Sequence, residues 1–443
     1  MTQDRPSQGG EARRKAGVAP SRHLDIDPLL DDPGTRIIVC CGSGGVGKTT
    51  TAAALGVRAA ERGRRTVVLT IDPARRLAQS MGIDALDNVP RRVDGIKGAP
   101  GRAEGELHAM MLDMKRTFDE IVEAHADRER SAAILGNPFY QSLSAGFAGT
   151  QEYMAMEKLG QLRARDEWDL IIVDTPPSRS ALDFLDAPKR LGSFLDGKFI
   201  RVLMAPAKVG GRAGMKFLNV GMSVMTGTLG KLLGGQLLHD IQTFVAAMDT
   251  MFGGFRTRAD ATFKLLQAPG TAFLVVAAPE RDALREAAYF VERLAAESMP
   301  LAGLVLNRVH DSTARRLSAE RSLAAAENLE ERRIVDQRGG KEQDRTAPEA
   351  SPTDDVAVSP EAPPPAPGTA SEQPEQHSVD RLAAGLLRLH AERMQVIARE
   401  QRTRDRFSSL HPEVAVTQVT ALPGDVHDLA GLRDIGERLA DDG

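Results

Sequence analysis

The sequence is nearly devoid of cysteine, and this absence excludes several kinds of protein. Its only two cysteines, Cys40 and Cys41, are adjacent within an apolar run. They cannot form a disulfide framework, and they lack the C-x-x-C spacing of a zinc clip. We therefore expect no bound zinc, and we predict that the protein works in the reducing cytoplasm.

The sequence also lacks a strong charge imbalance and a convincing membrane span. Its 57 basic and 61 acidic side chains give a formal net charge of -4, so nucleic acid is not an expected partner. The polar N-terminal stretch has no apolar core, so we do not expect a secretory signal there. Residues 219–238 come closest to a membrane span, but they are rich in glycine and contain Lys231 near the middle.

Short apolar runs with β-branched residues alternate with helical patterns along the chain. Residues 36–41 are followed by a glycine loop and by an Ala/Leu-rich helical stretch that ends at Gly63. This alternation predicts an α/β fold with a doubly wound, mainly parallel sheet, as in P-loop NTPases. Further strands are predicted at 66–72, 168–174, 273–278 and 303–309, and a helix at 281–298.

Two segments interrupt this pattern. Residues 192–254 are rich in Met and Gly and predict an inserted helical subdomain. Residues 336–378 are rich in Pro, Glu and Ser, and their few large apolar residues cannot offset chain entropy, so we expect disorder. The other predicted parts are a flexible lead at 1–34, the ATPase core at 35–191 and 255–335, and C-terminal helices at 379–443.

The glycine loop after the first strand fits two fingerprints. Gly42, Gly44 and Gly47 fit the dinucleotide pattern G-x-G-x-x-G, while residues 42–49 also read G-x-x-x-x-G-K-T. Only the second pattern, the P-loop, uses a Lys-Thr pair at the start of the helix. In a P-loop, backbone N–H groups and Lys48 bind phosphates, and Thr49 places a hydroxyl on Mg²⁺.

A P-loop also needs a carboxylate at the end of a neighbouring strand, and Asp174 supplies it. The alternative interpretation of the loop is a plain glycine turn that only joins strand and helix.

The nucleotide is predicted from Asn307, which is followed by Arg308 and Val309 rather than by the K-x-D of GTPases. An asparagine amide both donates and accepts, as the adenine edge requires, so ATP is favoured. Asn307 could instead be only a strand-end turn former.

Three segments together resemble the anion-transporting ATPase family, which comprises bacterial arsenite-pump ATPases and the ATPases that deliver tail-anchored membrane proteins. They are GSGGVGKTTTAAALGVRAAERG, TIDPARRLAQS and DLIIVDTPPSRSALDFL. A fourth, LPGDVHDLAGLRDIGERL, resembles the family's C-terminal adenine-contacting loop and helix. The similarity covers most of residues 36–310 and resumes at about 379–440.

The resemblance implies a role for each matching residue. Asp72 and Lys48 are the implied catalytic residues, with Asp72 orienting the attacking water; a helix N-cap is the alternative interpretation of Asp72. Thr49 and Asp174 are the implied Mg²⁺ residues, Asp174 through water. The implied nucleotide-binding residues are Gly42, Ser43, Gly44, Gly45, Val46, Gly47, Lys48, Thr49, Thr50, Asn307, Pro423, Gly424 and Asp425.

One residue departs from the family where catalysis depends on it. The family works as a dimer in which each chain lends a signature lysine to its neighbour's phosphates, but here that residue is Ser43. An uncharged serine cannot make the charge-assisted contact. We predict that the chain pairs with a paralogue that retains the lysine. In the alternative homodimer, Arg179 or Arg75 supplies the charge; in a third interpretation these arginines are solvated or salt-bridged and hydrolysis is slow.

The resemblance also bears on what the protein carries. Arsenite is disfavoured, because the chain has no cysteine outside the strand that leads to Gly42. In the tail-anchored branch the region equivalent to 192–254 forms a groove for a transmembrane helix. A hydrophobic protein client and transient membrane association are therefore expected, with ordinary core packing and a mobile lid as the alternative. The methionines of this region are Met204, Met215, Met222, Met225, Met248 and Met251.

Two other functions stay open. The departures at positions 43, 75, 76 and 179–181 also suit a nucleotide-binding switch subunit that hydrolyses little ATP. A partition or division-site ATPase shares the loop but acts on DNA or membrane through basic patches or an amphipathic tail. The acidic terminus ERLADDG disfavours that function, and the basic helix predicted at 379–404 is explained as a packed surface helix.

Overall fold

The computed structural model describes residues 23–72, 76–83, 86–144, 150–176, 257–342 and 372–441. The chain divides into two units. The first unit consists of Met1–Val309 and Thr403–Gly443, and the second of His310–Arg402. The Met-rich segment 192–254 lies outside the described residues.

An eight-stranded sheet runs through the described part of the first unit, in the order β3-β4-β2-β5-β1-β6-β7-β8. Every neighbouring pair is parallel except β3 with β4. The doubly wound, mainly parallel sheet predicted from the sequence is therefore confirmed. The strands are β1 Ile37–Cys41, β2 Arg65–Thr70, β3 Arg91–Arg92, β4 Glu106–Met111, β5 Leu170–Asp174, β6 Thr271–Ala277, β7 Leu301–Val309 and β8 Val416–Thr420.

Helices connect these strands and form the described part of the second unit. In the first unit they are α1 Ile26–Asp31, α2 Lys48–Glu61, α3 Arg76–Ser80, α4 Met114–His125, α5 Arg128–Leu135, α6 Pro138–Ser144, α7 Thr150–Arg165, α8 Arg281–Ala296 and α11 Leu429–Ala440. Residues 257–267 are also helical. The other two are α9 Ala319–Glu342, in the second unit, and α10 Glu372–Leu410. Among the described residues, none of the helices combines the length and apolar character that a bilayer crossing requires.

The central strands are buried on both faces, which explains their unbroken apolar runs. In β1, Ile37, Val39 and Cys41 belong to one core cluster, whereas Ile38 and Cys40 belong to another. Successive side chains of a strand point to opposite faces, so each cluster lies on its own side of the sheet. Helix α2 packs on the second side with α11, because Leu55 and Leu432 belong to the same cluster.

Gly63 terminates helix α2, as the sequence predicts. Gly63 has a φ of +98°, and its N–H donates to the Ala60 carbonyl at 2.9 Å. The Arg64 N–H donates to the Ala59 carbonyl at 3.1 Å. This pair of bonds satisfies the last carbonyls of the helix in a Schellman motif, which places Arg64 at the start of the returning strand.

Sequence patterns missed three strands of the sheet. Strand β4 has the sequence ELHAMM, in which Ala, Met and His give little strand signal. Strand β8 is short and interleaves Thr and Gln with Val, and β3 has only two residues. All three lie toward the two edges of the sheet, where fewer apolar side chains are needed.

The predicted flexible lead at 1–34 is wrong for its last third. Residues 23–34 are ordered, and Ile26 and Leu30 in α1 are fully buried. Asp25 caps α1 by accepting from the Asp27 N–H at 3.2 Å. Asp27 also accepts from Arg58 Nε at 2.6 Å, which ties α1 to α2. Residues 1–22 lie outside the described residues.

Two predicted boundaries also need correction. Residues 310–335 belong to the second unit and not to the core assigned to 255–335. Helices α9 and α10 extend into both ends of the segment 336–378 that was predicted to be disordered. Pro374 is tolerated because it lies in the first turn of α10, where its missing N–H is not needed. Residues 343–371 lie outside the described residues.

Candidate functional site

The candidate site lies at the carboxyl edge of the parallel strands, where the loop 42–47 joins β1 to α2. The ends of β2 and β5 flank the end of β1, since Cys40 pairs with Asp174 and Thr70 pairs with Asp174 in the sheet. Open α/β sheets bind ligands at this edge. The predicted loop residues and Asp174 are therefore brought together by the fold.

Two glycines of the loop occupy places that no side chain could take. Gly42 has a φ of +151°, and a Cβ there would lie 2.1 Å from the Val276 carbonyl oxygen on β6. Gly47 has a φ of +93°, and its Cβ would lie 2.2 Å from Asn307 Nδ2. The loop thus wraps closely over its own sheet, with its outer part, Gly44 and Gly45, exposed.

Helix α2 begins at Lys48 with no side chain capping its first N–H groups. These groups, together with the helix dipole, favour an anion at the loop. Lys48 folds back over the loop, and its Nζ donates to the Ser43 carbonyl at 2.7 Å. Burial lowers the pKa of Lys48, and the charges of Asp174 and Asp72 oppose that shift. A buried ammonium folded back over a glycine loop, beside the uncapped N–H groups of a helix start, is a phosphate-binding arrangement.

Asp174 sits beneath this loop and is completely buried. Its Oδ2 accepts from Thr49 Oγ1 at 2.7 Å and from Thr70 Oγ1 at 2.9 Å. Burial raises the pKa of the carboxyl to about 6, against the lowering effect of both hydroxyls. Its buried Oδ1 has no hydrogen-bond partner within the described part of the chain.

This arrangement fits a Mg²⁺ ion. A buried carboxylate oxygen without a partner needs an explanation, and Mg²⁺ takes oxygen ligands, commonly one or two carboxylates with water. The Thr49 hydroxyl lies beside the same carboxylate. Thr49 and Asp174, the residues implied by the family resemblance, are therefore the residues that would hold the ion.

Asp72 follows β2 on the same edge of the sheet. The Ile71 N–H donates to the Asp174 carbonyl at 3.0 Å, and Gln151 Nε2 of α7 donates to the Ile71 carbonyl at 2.9 Å. The residue before Asp72 is thus held from both sides. Sequence reasoning missed Gln151, because no local spacing marks a side chain that reaches the site from a distant helix.

Asn307 lies under the loop at the end of β7 and is 6% exposed. Its Nδ2 donates to the Val46 carbonyl at 2.8 Å, and its Oδ1 accepts from the Arg308 N–H at 3.0 Å. The pairing of β7 with β8 shifts register here, and Arg308 has a φ of +62°. Asn307 therefore supports the P-loop directly, and its predicted contact with adenine stays a prediction.

The remaining predicted residues divide into three groups. Thr50 lies in the first turn of α2 and is partly exposed. Pro423, Gly424 and Asp425 form an exposed bend after β8, which is anchored by the Ala421 N–H donating to the Val309 carbonyl at 2.9 Å. Arg75 and Arg179, the candidate charge substitutes, lie outside the described residues, and so do the positions after Pro176 in the second switch.

A pair of alanine substitutions separates the two reasons for glycine in the loop. Gly45→Ala is expected to lower the free energy of unfolding by about 1 kcal/mol, because alanine disfavours its φ of +76° but meets open space. Gly47→Ala is expected to lower it by roughly 2–4 kcal/mol, because it also displaces Asn307 and leaves the Val46 carbonyl unpaired. Urea unfolding measures both.

The double variant Gly47→Ala/Asn307→Ala provides the check on this prediction. Removing the Asn307 side chain eliminates the clash, so the double variant is expected to lose clearly less stability than the two single variants add up to. Equal stability of the Gly45→Ala and Gly47→Ala proteins would contradict the assigned contact.

Comparison with known proteins adds an independent result. A family model described as anion-transporting ATPase matches residues 35–337. An ATPase GET3 of Malassezia globosa is 29% identical over 166 residues, which are 38% of this chain and 46% of that protein. An ATPase GET3 of Podospora anserina is 26% identical over 290 residues, covering 64% of this chain and 76% of that protein. A putative arsenical pump-driving ATPase of Halobacterium salinarum is 30% identical over 181 residues, 40% of this chain and 27% of that protein.

Proposed function

Because the chain belongs to the anion-transporting ATPase family, we propose that it hydrolyses ATP with Mg²⁺ as one half of a cytoplasmic dimer that handles a hydrophobic protein client. The observation that carries this proposal is the group formed by Lys48, Thr49, Thr70 and Asp174 around the P-loop. It combines a phosphate-binding loop with the oxygen atoms that a Mg²⁺ ion needs.

The residues of the site have separate tasks in this proposal. The N–H groups of the loop and the first turn of α2 hold the phosphates, and Lys48 exchanges the Ser43 carbonyl for phosphate oxygens. Thr49 and Asp174 would hold Mg²⁺, and the bound ion would supply positive charge beside the phosphates. Asp72 orients the water that attacks the terminal phosphate. Its place depends on Gln151, which fixes the Ile71 carbonyl.

A charge from a second chain completes the site. The residue facing the phosphates at the family's lysine position is Ser43, which is partly exposed and uncharged. Transition-state charge in phosphoryl transfer needs a cation, and such a cation is often supplied in trans. We propose a paralogue with lysine at this position as the partner, so that the site on the present chain receives the lysine.

The proposal is tested by purifying the chain with and without its nearest genomic paralogue. Mass and ATP hydrolysis are measured on the same samples, and the Lys48→Ala chain in the same assemblies is the blank. We expect a stable mixed dimer that hydrolyses ATP at least about tenfold faster than the chain alone, because the supplied cation stabilises the transition state.

Other outcomes distinguish the alternatives. Normal turnover by the chain alone, with the mass of a homodimer, would exclude the need for a paralogue and point to a cation within the chain. Intact ATP binding with negligible hydrolysis in every assembly would favour a switch subunit over an ATPase. The substitution at Ser43 is the specific observation that keeps this second function in consideration.

The hydrophobic client is supported by the way the site connects to the rest of the first unit. Gln151 and Glu157 both lie on α7; Gln151 contacts the Ile71 carbonyl, and Glu157 accepts from Arg258 Nε at 2.8 Å. Arg258 belongs to the helical segment 257–267, which directly follows the Met-rich region in the chain. Movement at Asp72 therefore has a physical route to the segment 257–267. The family resemblance, which includes the ATPases that deliver tail-anchored membrane proteins, favours a membrane-protein segment as the client.

A further inference from the structure

A buried threonine hydroxyl at the end of β2 connects two residues of the candidate site. Thr70 is 1% exposed, and its Oγ1 lies 2.9 Å from Asp174 Oδ2 and 3.3 Å from the Asp72 carbonyl oxygen. Asp174 ends β5, whereas Asp72 follows β2. The Thr70 hydroxyl therefore links the carboxylate that would hold Mg²⁺ to the main chain of the residue proposed to orient the attacking water.

The two acceptors share one proton, because a hydroxyl has a single O–H group to donate. The contact with Asp174 has the usual length of an O–H···O bond, and the contact with the Asp72 carbonyl is longer than usual. The proton is therefore held mainly by Asp174, and the Asp72 carbonyl takes the weaker branch of a three-centre bond. Rotation of the hydroxyl alone moves the proton toward either oxygen.

The Thr70 contact extends a set of ties on the main chain that leads to Asp72. The Ile71 N–H donates to the Asp174 carbonyl, and the Ile71 carbonyl accepts from a side chain of α7. Thr70 contacts the next carbonyl, that of Asp72. Pro73 follows in the sequence, and a proline has no N–H with which to continue main-chain bonds. The Thr70 hydroxyl thus reaches the last carbonyl before that proline.

Packing alone does not explain a hydroxyl at this position. Thr70 follows three apolar residues in a strand that is buried from residue 66 to residue 70, and valine has nearly the same shape as threonine. A buried hydroxyl costs free energy unless it is hydrogen-bonded. The hydroxyl of Thr66, in the same strand, lies 3.4 Å from the Arg64 carbonyl oxygen and far along the strand from the site. Thr66 therefore provides a buried threonine of β2 for comparison.

We propose that Thr70 is a positioning residue for ATP hydrolysis: its hydroxyl, anchored on Asp174, fixes the Asp72 carbonyl and thereby the direction of the Asp72 side chain. The inference rests on the proposed function, in which Asp72 orients the attacking water. A displacement of about 1 Å near a reacting group costs on the order of a hundredfold in rate. Removal of one shared hydrogen bond displaces Asp72 less than that, so we expect a loss of about tenfold in turnover.

Steady-state hydrolysis by Thr70→Val is the first test, made with the assembly that turns over ATP, either the whole chain alone or its mixed dimer. We expect kcat to fall about tenfold, while KM for ATP and the Mg²⁺ concentration that gives half the maximal rate change by less than about twofold. The groups that bind phosphate, Lys48 and the loop, are unaltered. Thr70→Ser keeps the hydroxyl and is expected to retain at least about half of kcat. Thr66→Val is the matched control and is expected to hydrolyse ATP like the unaltered chain.

Amide hydrogen exchange of the whole chain without nucleotide measures the same contact independently of catalysis. Peptides that cover residues 71–81 are expected to exchange about fivefold faster in Thr70→Val than in the unaltered chain, because the main chain at Asp72 loses a tie. Thr66→Val and Thr70→Ser are expected to leave this rate unchanged. Circular dichroism and urea unfolding establish that each variant is folded. Thr70→Ala, which leaves the space of the hydroxyl empty, is expected to give the same two effects if Thr70→Val folds poorly.

Three results would overturn the inference. The first is unchanged kcat or unchanged exchange in Thr70→Val. The second is a raised Mg²⁺ requirement with kcat restored at saturating Mg²⁺, because Thr70 would then act on Asp174 alone. The third is an equal loss in Thr70→Val and Thr70→Ser, since the hydroxyl would not be its cause. Failure of the proposed function gives a different result: no assembly of the unaltered chain would exceed the Lys48→Ala blank, while the exchange rates would still decide whether Thr70 holds Asp72.

Discussion

Replacement of Asp174 with asparagine is expected to remove ATP hydrolysis while making the unliganded protein more stable at neutral pH. Asparagine keeps an oxygen for the Thr49 and Thr70 hydroxyls but has no charge for Mg²⁺. Loss of a residue that holds a metal through water costs about 10- to 100-fold in activity. We expect the loss here to be roughly 100-fold, because the same change removes the buried negative charge beside the Thr49 hydroxyl.

The gain in stability follows from the buried carboxyl. Its pKa is raised from 3.8 to about 6 in the folded chain, so the folded state holds a proton that the unfolded state has already lost between these two values. The free energy of unfolding therefore falls as pH rises from about 4 to 6 and is level above. With about 1.4 kcal/mol for each unit, the penalty at pH 7 is on the order of 3 kcal/mol.

Urea unfolding from pH 4.5 to 7.5 without Mg²⁺ or nucleotide measures this effect. The Asp174→Asn protein is expected to gain stability relative to the unaltered chain as pH rises, and the difference is expected to level off near pH 7. Asp169→Asn, immediately before the opposite end of β5, is the control. Asp169 is 40% exposed, so its replacement is expected to change stability by less than about 1 kcal/mol. A lower stability of Asp174→Asn at pH 7 would contradict the prediction.

A lysine at position 43 is expected to make the isolated chain a faster ATPase. In the proposed mixed dimer, the missing cation of the present chain comes from its partner. Ser43→Lys would give a dimer of this chain two such cations, and charges of this kind are worth about 10³–10⁵ in phosphoryl transfer. We expect turnover of the chain alone to rise at least about tenfold, since the rest of the site is already in place.

Ser43→Gln is the matched control for this experiment. Glutamine has a long polar side chain but no charge, so it separates the effect of the cation from that of added contact. Steady-state hydrolysis is measured with the dimer mass of each variant. An increase with Gln as large as with Lys, or no increase with either in a stable dimer, would mean that the cation at position 43 is not what limits turnover.

The fold was predictable from the sequence for strands whose own apolar runs indicate that they are buried. Strands β1, β2, β5, β6 and β7 lie between the edge regions of the sheet, and each contains a run of consecutive buried apolar residues that the sequence pattern reveals. Strand β4 was missed because His108 and its neighbours Ala109 and Met110 resemble no strand pattern. Burial of α1 was missed because a short segment with two buried residues has too little periodicity.

The candidate site likewise contains residues that the sequence predicts and residues that it does not. Residues 42–49 and Asp174 follow from local motifs, because the P-loop and the strand-end carboxylate are contiguous patterns. Thr70 and Gln151 reach the site only through sheet pairing and helix packing. The residues next to them form no motif that indicates a place in the site. The support of Val46 by Asn307 was equally hidden, since the sequence directs attention to the nucleotide base.

The position of strand β8 in the chain affects how the protein folds during its synthesis. It pairs with β7 but follows residues 310–402 in the chain, so during translation β7 leaves the ribosome long before its neighbour. In that interval β7 is an edge strand with unpaired backbone groups, the kind of surface that chaperones protect in nascent chains. The same pairing forms the irregularity beside Asn307, which holds the P-loop from below. We therefore expect the nascent chain to acquire its nucleotide site only after residue 420 has been synthesised.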